Sequence, residues 1–265
     1  MDIEAYVGIV GAILAFVGAV ASGALASRAN KQAHELDRRR RLDTRTEDLE
    51  RIVHQYRDPL LDAAQALQSR IFNILAQNYL GKFLHCGDAD EERYARDYTV
   101  FVLAEYLCWV EIVRRELRFL DLGDVVRNRD LLAQLYTIQL TIQHDKAPPR
   151  LRVFRGKQRA IAELMMVPTG AAECPRNECL GYAAFSRRLH TDPEFAAWFT
   201  PLLEDVELIA TSTPIQNVRL FQLQNDLIGL IDFLDPQKVR IVPNERNRIP
   251  MPAADPEVPA QPAAR

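Results

Sequence analysis

The sequence predicts an all-α protein that consists of a single N-terminal transmembrane helix, a helical stalk and a cytosolic domain of helical-bundle type. Three observations lead to this prediction: one long uncharged run, a heavily charged stretch after it, and successive segments whose apolar residues recur at helical spacing. We divide the chain into an anchor over residues 1–27, a stalk over 28–57, a helical domain over 58–242 and a disordered, Pro/Ala-rich tail over 243–265.

The uncharged run lies between Glu4 and Arg28, and its apolar part covers residues 6–26. At 1.5 Å per helical residue the run is roughly 34 Å long, which is enough to cross the hydrocarbon core of a lipid bilayer. A cleaved signal peptide is one alternative, because the Ala-Leu-Ala sequence at 24–26 fits a cleavage site, although the run is long and lacks a positively charged start. A buried core helix is another alternative, and it would need burial on every face.

Charged residues flank this run unequally. Asp2 and Glu4 precede it, and the basic residues that follow it are Arg28, Lys31, Arg38, Arg39, Arg40 and Arg41. Because basic flanks stay in the cytoplasm, the asymmetry predicts a single-pass protein with its N-terminus outside and its C-terminal domain in the cytoplasm. The four consecutive arginines are expected to contact anionic lipid headgroups, at about 1 kcal/mol for each nearby basic side chain.

Small residues form a ridge along the predicted anchor. They recur four positions apart and are Gly11, Ala15, Ala19 and Gly23. Because such a ridge lets two membrane helices approach closely, it is compatible with a homo-oligomer in the bilayer. The alternative is that alanine and glycine only fill the helix, since small residues are common in membrane spans.

The predicted stalk is rich in charge and carries few large apolar residues. Leu42, Leu49 and Tyr56 are spaced seven apart, which favours a narrow apolar seam and a coiled coil. The alternative is a single solvated helix that continues from the membrane, because the heptad pattern is short.

Helical spacing continues through the first part of the domain. Asp58, followed by Pro59, predicts a capped helix start, and this helix runs to about Phe83. Asp90 is expected to cap a second helix. Residues 100–113 of that helix are apolar on nearly all sides, so they should form the middle of the core.

The second part of the domain is less regular. A helix is predicted over residues 128–144, although Thr and Ile alternate at 135–143 as they would in a strand. Further on, the pattern indicates an extended segment at 150–154, a short helix at 156–166, a loop at 168–177, a helix that ends near Leu189, and two helices that begin after Asp192 and Thr213. Asp235, followed by Pro236, is expected to end the last helix.

The net charge of −3 is divided unevenly along the chain. Residues 1–57 contain nine basic and eight acidic residues, which leaves 24 basic and 28 acidic residues for 58–265. A slightly acidic domain argues against nucleic acid as the main ligand, because phosphate binding needs a concentrated basic face. The four cysteines are expected to be free thiols in the reducing cytoplasm, and they are Cys86, Cys108, Cys174 and Cys179.

Short motifs that resemble catalytic or metal sites lack some of the required residues. The Arg-Gly-Lys sequence at 155–157 lacks the first glycine and the last hydroxyl of a phosphate-binding loop. No zinc pattern is completed by the candidate ligands, which are His85, Cys86, Cys174, Cys179 and His190. The sequence therefore predicts no metal and no cofactor, and it leaves catalytic and cofactor-binding residues unassigned.

Polar residues are unusually frequent on the first helix of the domain. They are Gln65, Gln68, Ser69, Arg70 and Asn73. Arg70 lies close to the apolar stripe, so we expect it to pair inside the bundle with Glu105 or Glu111. A buried pair of this kind is usually structural, and the alternative is a functional pocket where ionisable side chains such as Arg70 and Arg159 converge.

Three segments are familiar in combination. At 56–73 the chain reads YRDPLLDAAQALQSRIFN, at 154–165 it reads FRGKQRAIAELM, and at 219–235 it reads RLFQLQNDLIGLIDFLD. Together they resemble a group of uncharacterised bacterial proteins with one N-terminal membrane helix and a helical cytoplasmic domain. The resemblance covers nearly the whole chain apart from the tail. It implies the anchor, the helical fold and a bacterial source, and it carries over no activity or site.

These features favour a membrane-anchored, non-enzymatic interaction or regulatory module that binds a protein partner or senses a small ligand. The sequence predicts a membrane tether, a stalk and a helical bundle, whereas each catalytic motif considered above lacks a required residue. An enzyme or effector at the membrane, with a site between helices, is the alternative, because such sites leave no local motif. A component that perturbs the bilayer through oligomerised anchors is a third hypothesis.

Overall fold

The computed structural model describes residues 55–116, 125–145, 150–169 and 176–252, which are mostly helical and confirm the all-α class. The chain divides into two units, Met1–Ile52 and Val53–Arg265, and all described residues belong to the second. The predicted anchor, the arginine cluster, the small-residue ridge and nearly all of the stalk lie outside the described residues. Within the described ranges, no helix is both long enough and apolar enough to cross a membrane.

The first predicted helix is two helices in the structure. Helix α1 covers residues 55–77, so the chain is already helical before Asp58, which does not begin the helix as expected. Asn78 interrupts it with a left-handed backbone (φ 52°), and α2 follows over Tyr79–Phe83. The Asn78 side chain folds back over Gly81, where a Cβ atom would lie 2.5 Å from it, so glycine permits this approach.

Helix α3 covers Ala89–Glu116 and runs through the middle of the core, as the sequence predicts. Its cap differs from the expected one. The Asp88 side chain, rather than that of Asp90, accepts hydrogen bonds from the backbone N–H groups of Asp90 (2.9 Å) and Glu91 (3.1 Å). Helices α2, α5, α6 and α7 all pack against α3, which explains why its centre is apolar on nearly all sides.

Helix α4 covers Val125–Gln143, so the helix prediction is confirmed and the strand alternative is wrong. Its buried side chains Ile138 and Ile142 are four residues apart and belong to the main core, and α4 packs against the last helix, α8. Helix α5 then covers Arg155–Met165, close to the predicted bounds.

A short β-hairpin replaces part of the loop predicted at 168–177. Strand β1 (Met166–Thr169) pairs antiparallel with β2 (Arg176–Cys179), and Met166 lies opposite Cys179. Each strand has four residues, which is too short for a clear alternation of apolar and polar positions. The hairpin is supported by its packing against α3 and by a hydrogen bond from the Leu180 N–H to the Met165 carbonyl (2.7 Å).

The last three helices follow the sequence prediction. They are α6 over Tyr182–Thr191, α7 over Pro193–Ala210 and α8 over Val218–Leu234. Asp192 caps α7, since its side chain accepts a hydrogen bond from the Phe195 N–H at 3.0 Å. Thr213 forms a reciprocal cap with Gln216, but it starts a 3-10 turn that leads into α8.

Residues 240–250, which we call the C-terminal strap, are packed against α8. This differs from the disordered tail predicted from residue 243. The Asp235 carboxylate accepts hydrogen bonds from the backbone N–H groups of Val239, Arg240 and Ile241, and the buried Arg246 side chain donates to it at 2.5 Å. Gln224 of α8 donates to the Asn247 carbonyl at 2.7 Å. Residues 253–265 lie outside the described residues.

Candidate functional site

A polar groove of about 530 Å³ lies between α1 and the C-terminal strap. This volume falls within the range of small-molecule sites, which is about 300–1,000 Å³. Helix α1 contributes Asp62, Gln65, Gln68, Ser69 and Phe72, and the strap contributes Arg240, Ile241, Asn244, Glu245 and Asn247. The α1 residues are spaced three and four apart, so one face of the helix carries them all.

Two glutamines of α1 lie in the wall of this groove, and one of their polar atoms has no hydrogen-bond partner among the described residues. Gln68 is 2% exposed and lines the same groove. Gln65 donates to Glu245 Oε2 at 3.1 Å, but its own Oε1 atom is buried without a partner among the described residues. An unpaired buried polar group costs about 1–3 kcal/mol, so a ligand that donates a hydrogen bond to Gln65 Oε1 would gain affinity here.

Ion pairs and hydrogen bonds hold the strap side of the groove. Arg240 Nη2 lies 2.6 Å from Asp58 Oδ2, which connects the strap to α1. Partial desolvation raises the pKa of the Asp62 carboxyl, the Arg240 guanidinium opposes this effect, and the Asp58 charge adds to it. The side of the groove that the strap forms is therefore held in place by an ion pair to α1.

The structure places Arg70 in a cage of tyrosines instead of an ion pair. Its guanidinium carbon lies 4.4 Å from the ring centroid of Tyr79, 4.8 Å from that of Tyr98 and 5.2 Å from that of Tyr94. Arg70 is 6% exposed, and its Nη1 atom has no hydrogen-bond partner among the described residues. The expected pairing with Glu105 or Glu111 is therefore wrong, because cation–π contacts with the rings hold the charge.

Glu111 binds other arginines. Arg114 donates to both of its carboxylate oxygens at 2.6 and 2.8 Å, Arg115 donates at 2.9 Å, and Arg159 lies 3.6 Å away. Glu111, Arg114 and Arg159 border a small cleft of about 50 Å³ between α3, α4 and α5. Arg70 and Arg159, which the sequence suggested as converging cations, thus take part in separate clusters.

A buried carboxylate and a histidine form a pair that the sequence analysis missed. Asp97 of α3 is 0% exposed, and its Oδ2 lies 2.7 Å from Nε2 of His190 on α6. Arg96 lies 3.3 Å from the other carboxylate oxygen. The pair joins residues 93 positions apart, so only the packing of α6 on α3 could reveal it.

The cysteines present no reactive or metal-binding arrangement within the described ranges. Cys86, Cys108 and Cys179 are free thiols, and Cys174 lies outside the described residues. A hydrogen bond with Cys108, together with burial, raises the pKa of the Cys179 thiol far above its ordinary value, so its thiolate is disfavoured. No group of three or more His, Cys, Asp or Glu side chains converges as metal ligands in the described part of the chain.

Comparisons with protein-family models, with curated proteins and with solved structures give no match for this chain. The bacterial group that the segments at 56–73, 154–165 and 219–235 resemble therefore stays a prediction. Of the groove and the cleft described above, the groove between α1 and the strap has the larger volume and contains the buried Gln65 Oε1, which has no partner among the described residues.

Proposed function

We propose that this chain is a membrane-anchored, non-enzymatic regulatory module whose helical domain senses a small polar ligand. In this proposal residues 6–26 anchor the chain in the bacterial inner membrane, with the N-terminus outside and the domain in the cytoplasm. Arg38, Arg39, Arg40 and Arg41 lie against anionic lipid headgroups. The uncharged run and its unequal flanking charges support the anchor.

The observation that supports ligand sensing is the groove between α1 and the strap. The Oε1 atom of Gln65 is buried at its wall without a hydrogen-bond partner among the described residues, and Gln68 beside it is 2% exposed. A buried amide without a partner lowers stability, which fits a site kept for binding rather than for folding.

The position of the groove supports a regulatory role. Its α1 wall belongs to the first described helix, which begins within the last three residues of the predicted stalk. A ligand that bridges α1 and the strap would change the freedom of this helix. Anchors that associate through the ridge of Gly11, Ala15, Ala19 and Gly23 would then report the bound state across the membrane.

Affinity capture of the full-length chain from its native membrane tests this proposal. We expect a partner protein whose recovery differs between the wild-type chain and Gln68→Leu, because the substitution removes a buried amide from the wall of the groove. Gln77→Leu is the matched control, since Gln77 is an exposed residue of α1 that does not line the groove. Equal recovery of every protein by all three chains contradicts a regulatory role for the groove.

The Asp97–His190 pair favours a second candidate function, that of an enzyme at the membrane. A buried carboxylate that orients a solvent-accessible imidazole is the arrangement of many general bases. In that case Asp97→Asn would abolish activity while His190 stays accessible. A metabolite profile that is unchanged between cells with the wild-type chain and cells with His190→Gln counts against the enzyme.

A further inference from the structure

The cleft between α3, α4 and α5 is bordered by buried hydrogen-bonding groups without partners. Tyr106 of α3 borders it and is 1% exposed, and its hydroxyl group has no hydrogen-bond partner among the described residues. Gln139 of α4 borders the same cleft, and its Nε2 atom is also buried without a partner in the described part of the chain. Because buried polar groups are normally hydrogen-bonded, these two groups indicate a partner that comes from outside the fold.

The side chains around the cleft carry more positive than negative charge. Of the described residues that border it, Arg114, Arg155 and Arg159 are basic, and Glu111 is acidic. Arg114 already occupies both carboxylate oxygens of Glu111, at 2.6 and 2.8 Å. Arg159 lies 3.6 Å from that carboxylate, and half of its side chain is exposed, so it can also contact a ligand. The charge of the lining therefore favours an anion.

The start of α5 adds to this positive potential. The helix begins at Arg155, and the residue before it, Phe154, provides no side-chain hydrogen bond that caps the first turn. The first backbone N–H groups of a helix carry a partial positive charge and attract anions. Arg155, Gln158 and Arg159 border the cleft, so this end of α5 lies beside it.

The groups without partners are hydrogen-bond donors, as an anion requires. Burial raises the pKa of the Tyr106 hydroxyl far above its ordinary value, and the charge of Asp226 adds to this effect, so the hydroxyl keeps its proton at neutral pH. The NH₂ group of Gln139 and the guanidinium group of Arg159 can only donate. A cation would leave both of these groups unpaired and would also be repelled by the arginines.

We propose that this cleft binds a small oxyanion, which is a carboxylate, a phosphate or a sulfate, through Tyr106, Gln139 and Arg159. One water molecule needs about 10–15 Å³, so a cleft of about 50 Å³ holds roughly three to five water-sized groups, which is the size of one oxyanion. No residue borders both this cleft and the groove between α1 and the strap, so the inference does not depend on the function proposed for the groove.

Equilibrium dialysis of the full-length chain in dodecyl maltoside micelles measures this binding, because these micelles contain neither phosphate nor carboxylate. Radiolabelled inorganic phosphate, sulfate and acetate are the probes, and radiolabelled putrescine is the cationic control, all at the same ionic strength. We expect saturable binding of at least one oxyanion and none of putrescine. Competition by dioctanoyl phosphatidylglycerol would assign the bound oxyanion to a lipid headgroup, and lack of competition would assign it to a free anion.

Two variants assign the binding to the cleft. Tyr106→Phe removes only the unpaired hydroxyl, so we expect severalfold weaker binding and a melting temperature that stays equal or rises. Arg159→Gln is expected to weaken binding about tenfold, because a hydrogen bond from a charged group to the anion is lost. The matched controls are Tyr136→Phe on α4 and Arg187→Gln on α6, which change exposed residues that do not border the cleft and should bind as the wild-type chain does.

Four results would overturn this proposal. Oxyanion binding that is unchanged in Tyr106→Phe and Arg159→Gln would place the anion elsewhere on the chain. Binding of putrescine without any oxyanion would refute the ligand class. Absence of oxyanion binding at millimolar concentrations would mean that the cleft holds only water. A lower melting temperature of Tyr106→Phe would show that the hydroxyl has a partner within the fold and is not kept for a ligand.

Discussion

At Arg70 a guanidinium group is buried among three tyrosine rings without a carboxylate partner in the described part of the chain. Its planar shape lets it stack on the rings, and each desolvated cation–π contact can contribute about 2 kcal/mol. The cage therefore replaces the ion pair that the sequence suggests, because aromatic faces and a carboxylate are alternative ways to hold a buried cation. This environment fits a structural role for Arg70.

Arg70→Lys and Arg70→Met should differ in stability. We expect Arg70→Lys to lower the free energy of unfolding by about 1–3 kcal/mol, because lysine is strongly hydrated and cannot stack on the rings. Arg70→Met should change it by less than about 1 kcal/mol, since a buried charge is replaced by an apolar side chain of similar length. Urea denaturation of both variants measures this.

Arg187→Lys is the control for the Arg70 variants, because Arg187 is exposed on α6 and should tolerate the change. A loss of 3 kcal/mol or more in Arg70→Met would mean that the positive charge itself stabilises the fold, and it would contradict the expectation that an apolar side chain can replace the buried charge.

The arginines around Glu111 make stability depend on pH. Burial alone raises the pKa of this carboxyl, but hydrogen bonds from Arg114 and Arg115 and the charges of Arg114 and Arg159 outweigh burial, so its pKa lies below the ordinary value of 4.5. Because the folded-state pKa is lowered, the stabilisation is complete above the unfolded-state pKa. It is lost as the pH falls through the folded-state pKa.

Glu111→Gln should therefore cost about 1–3 kcal/mol at pH 7, and the difference from the wild-type chain should shrink as the pH falls below 4.5. Thermal unfolding measured from pH 7 down to pH 3 tests this. Glu204→Gln, at an exposed position of α7, should show no such dependence. A cost for Glu111→Gln that is constant over this range would show that the ion pairs do not stabilise the fold.

Among the elements, α3 gives the sharpest test of a helix cap. The carboxylate of Asp88 accepts from two backbone N–H groups, whereas Asp90 lies one position inside the helix start and is exposed. We expect Asp88→Ala to lower the free energy of unfolding by about 0.5–2 kcal/mol and Asp90→Ala by clearly less. Denaturant unfolding of the two variants measures the difference, and equal losses would contradict the assigned cap.

Local signals predict the helices well and the other elements poorly. Asp192 and Thr213 act as caps where the sequence places them, because an N-cap depends on a few neighbouring residues. Choosing between Asp88 and Asp90 requires the backbone angles, since both precede the same apolar run. The hairpin is missed because four-residue strands give no periodicity, and its pairing depends on contacts with α3.

Only half of the candidate site is visible in the sequence. Gln65, Gln68 and Ser69 stand out because they are polar residues on an otherwise apolar helix. The residues of the strap do not stand out in the sequence, because their prolines and polar residues have the composition of a disordered tail. The order of the strap depends on the pairing of Arg246 with Asp235. Pairs that are distant along the chain leave no local pattern.

At the scale of the whole molecule, we expect the strap to contribute to the stability of the domain and residues 253–265 to contribute nothing to it. Deletion of 253–265 is expected to leave the melting temperature unchanged. Deletion of 243–265 also removes Arg246 and leaves the buried Asp235 carboxylate without its cation, which should cost about 3–5 kcal/mol. Thermal unfolding of both truncated chains checks this, and equal melting temperatures would show that the strap does not stabilise the domain.

The central claim is that the groove between α1 and the strap holds a small polar ligand through Gln68. Native mass spectrometry of the full-length chain, purified from its own membrane, tests it most directly. The wild-type chain and Gln77→Leu are expected to carry the added mass of one small molecule, and Gln68→Leu is expected to lack it. Identical spectra for all three chains would contradict the claim.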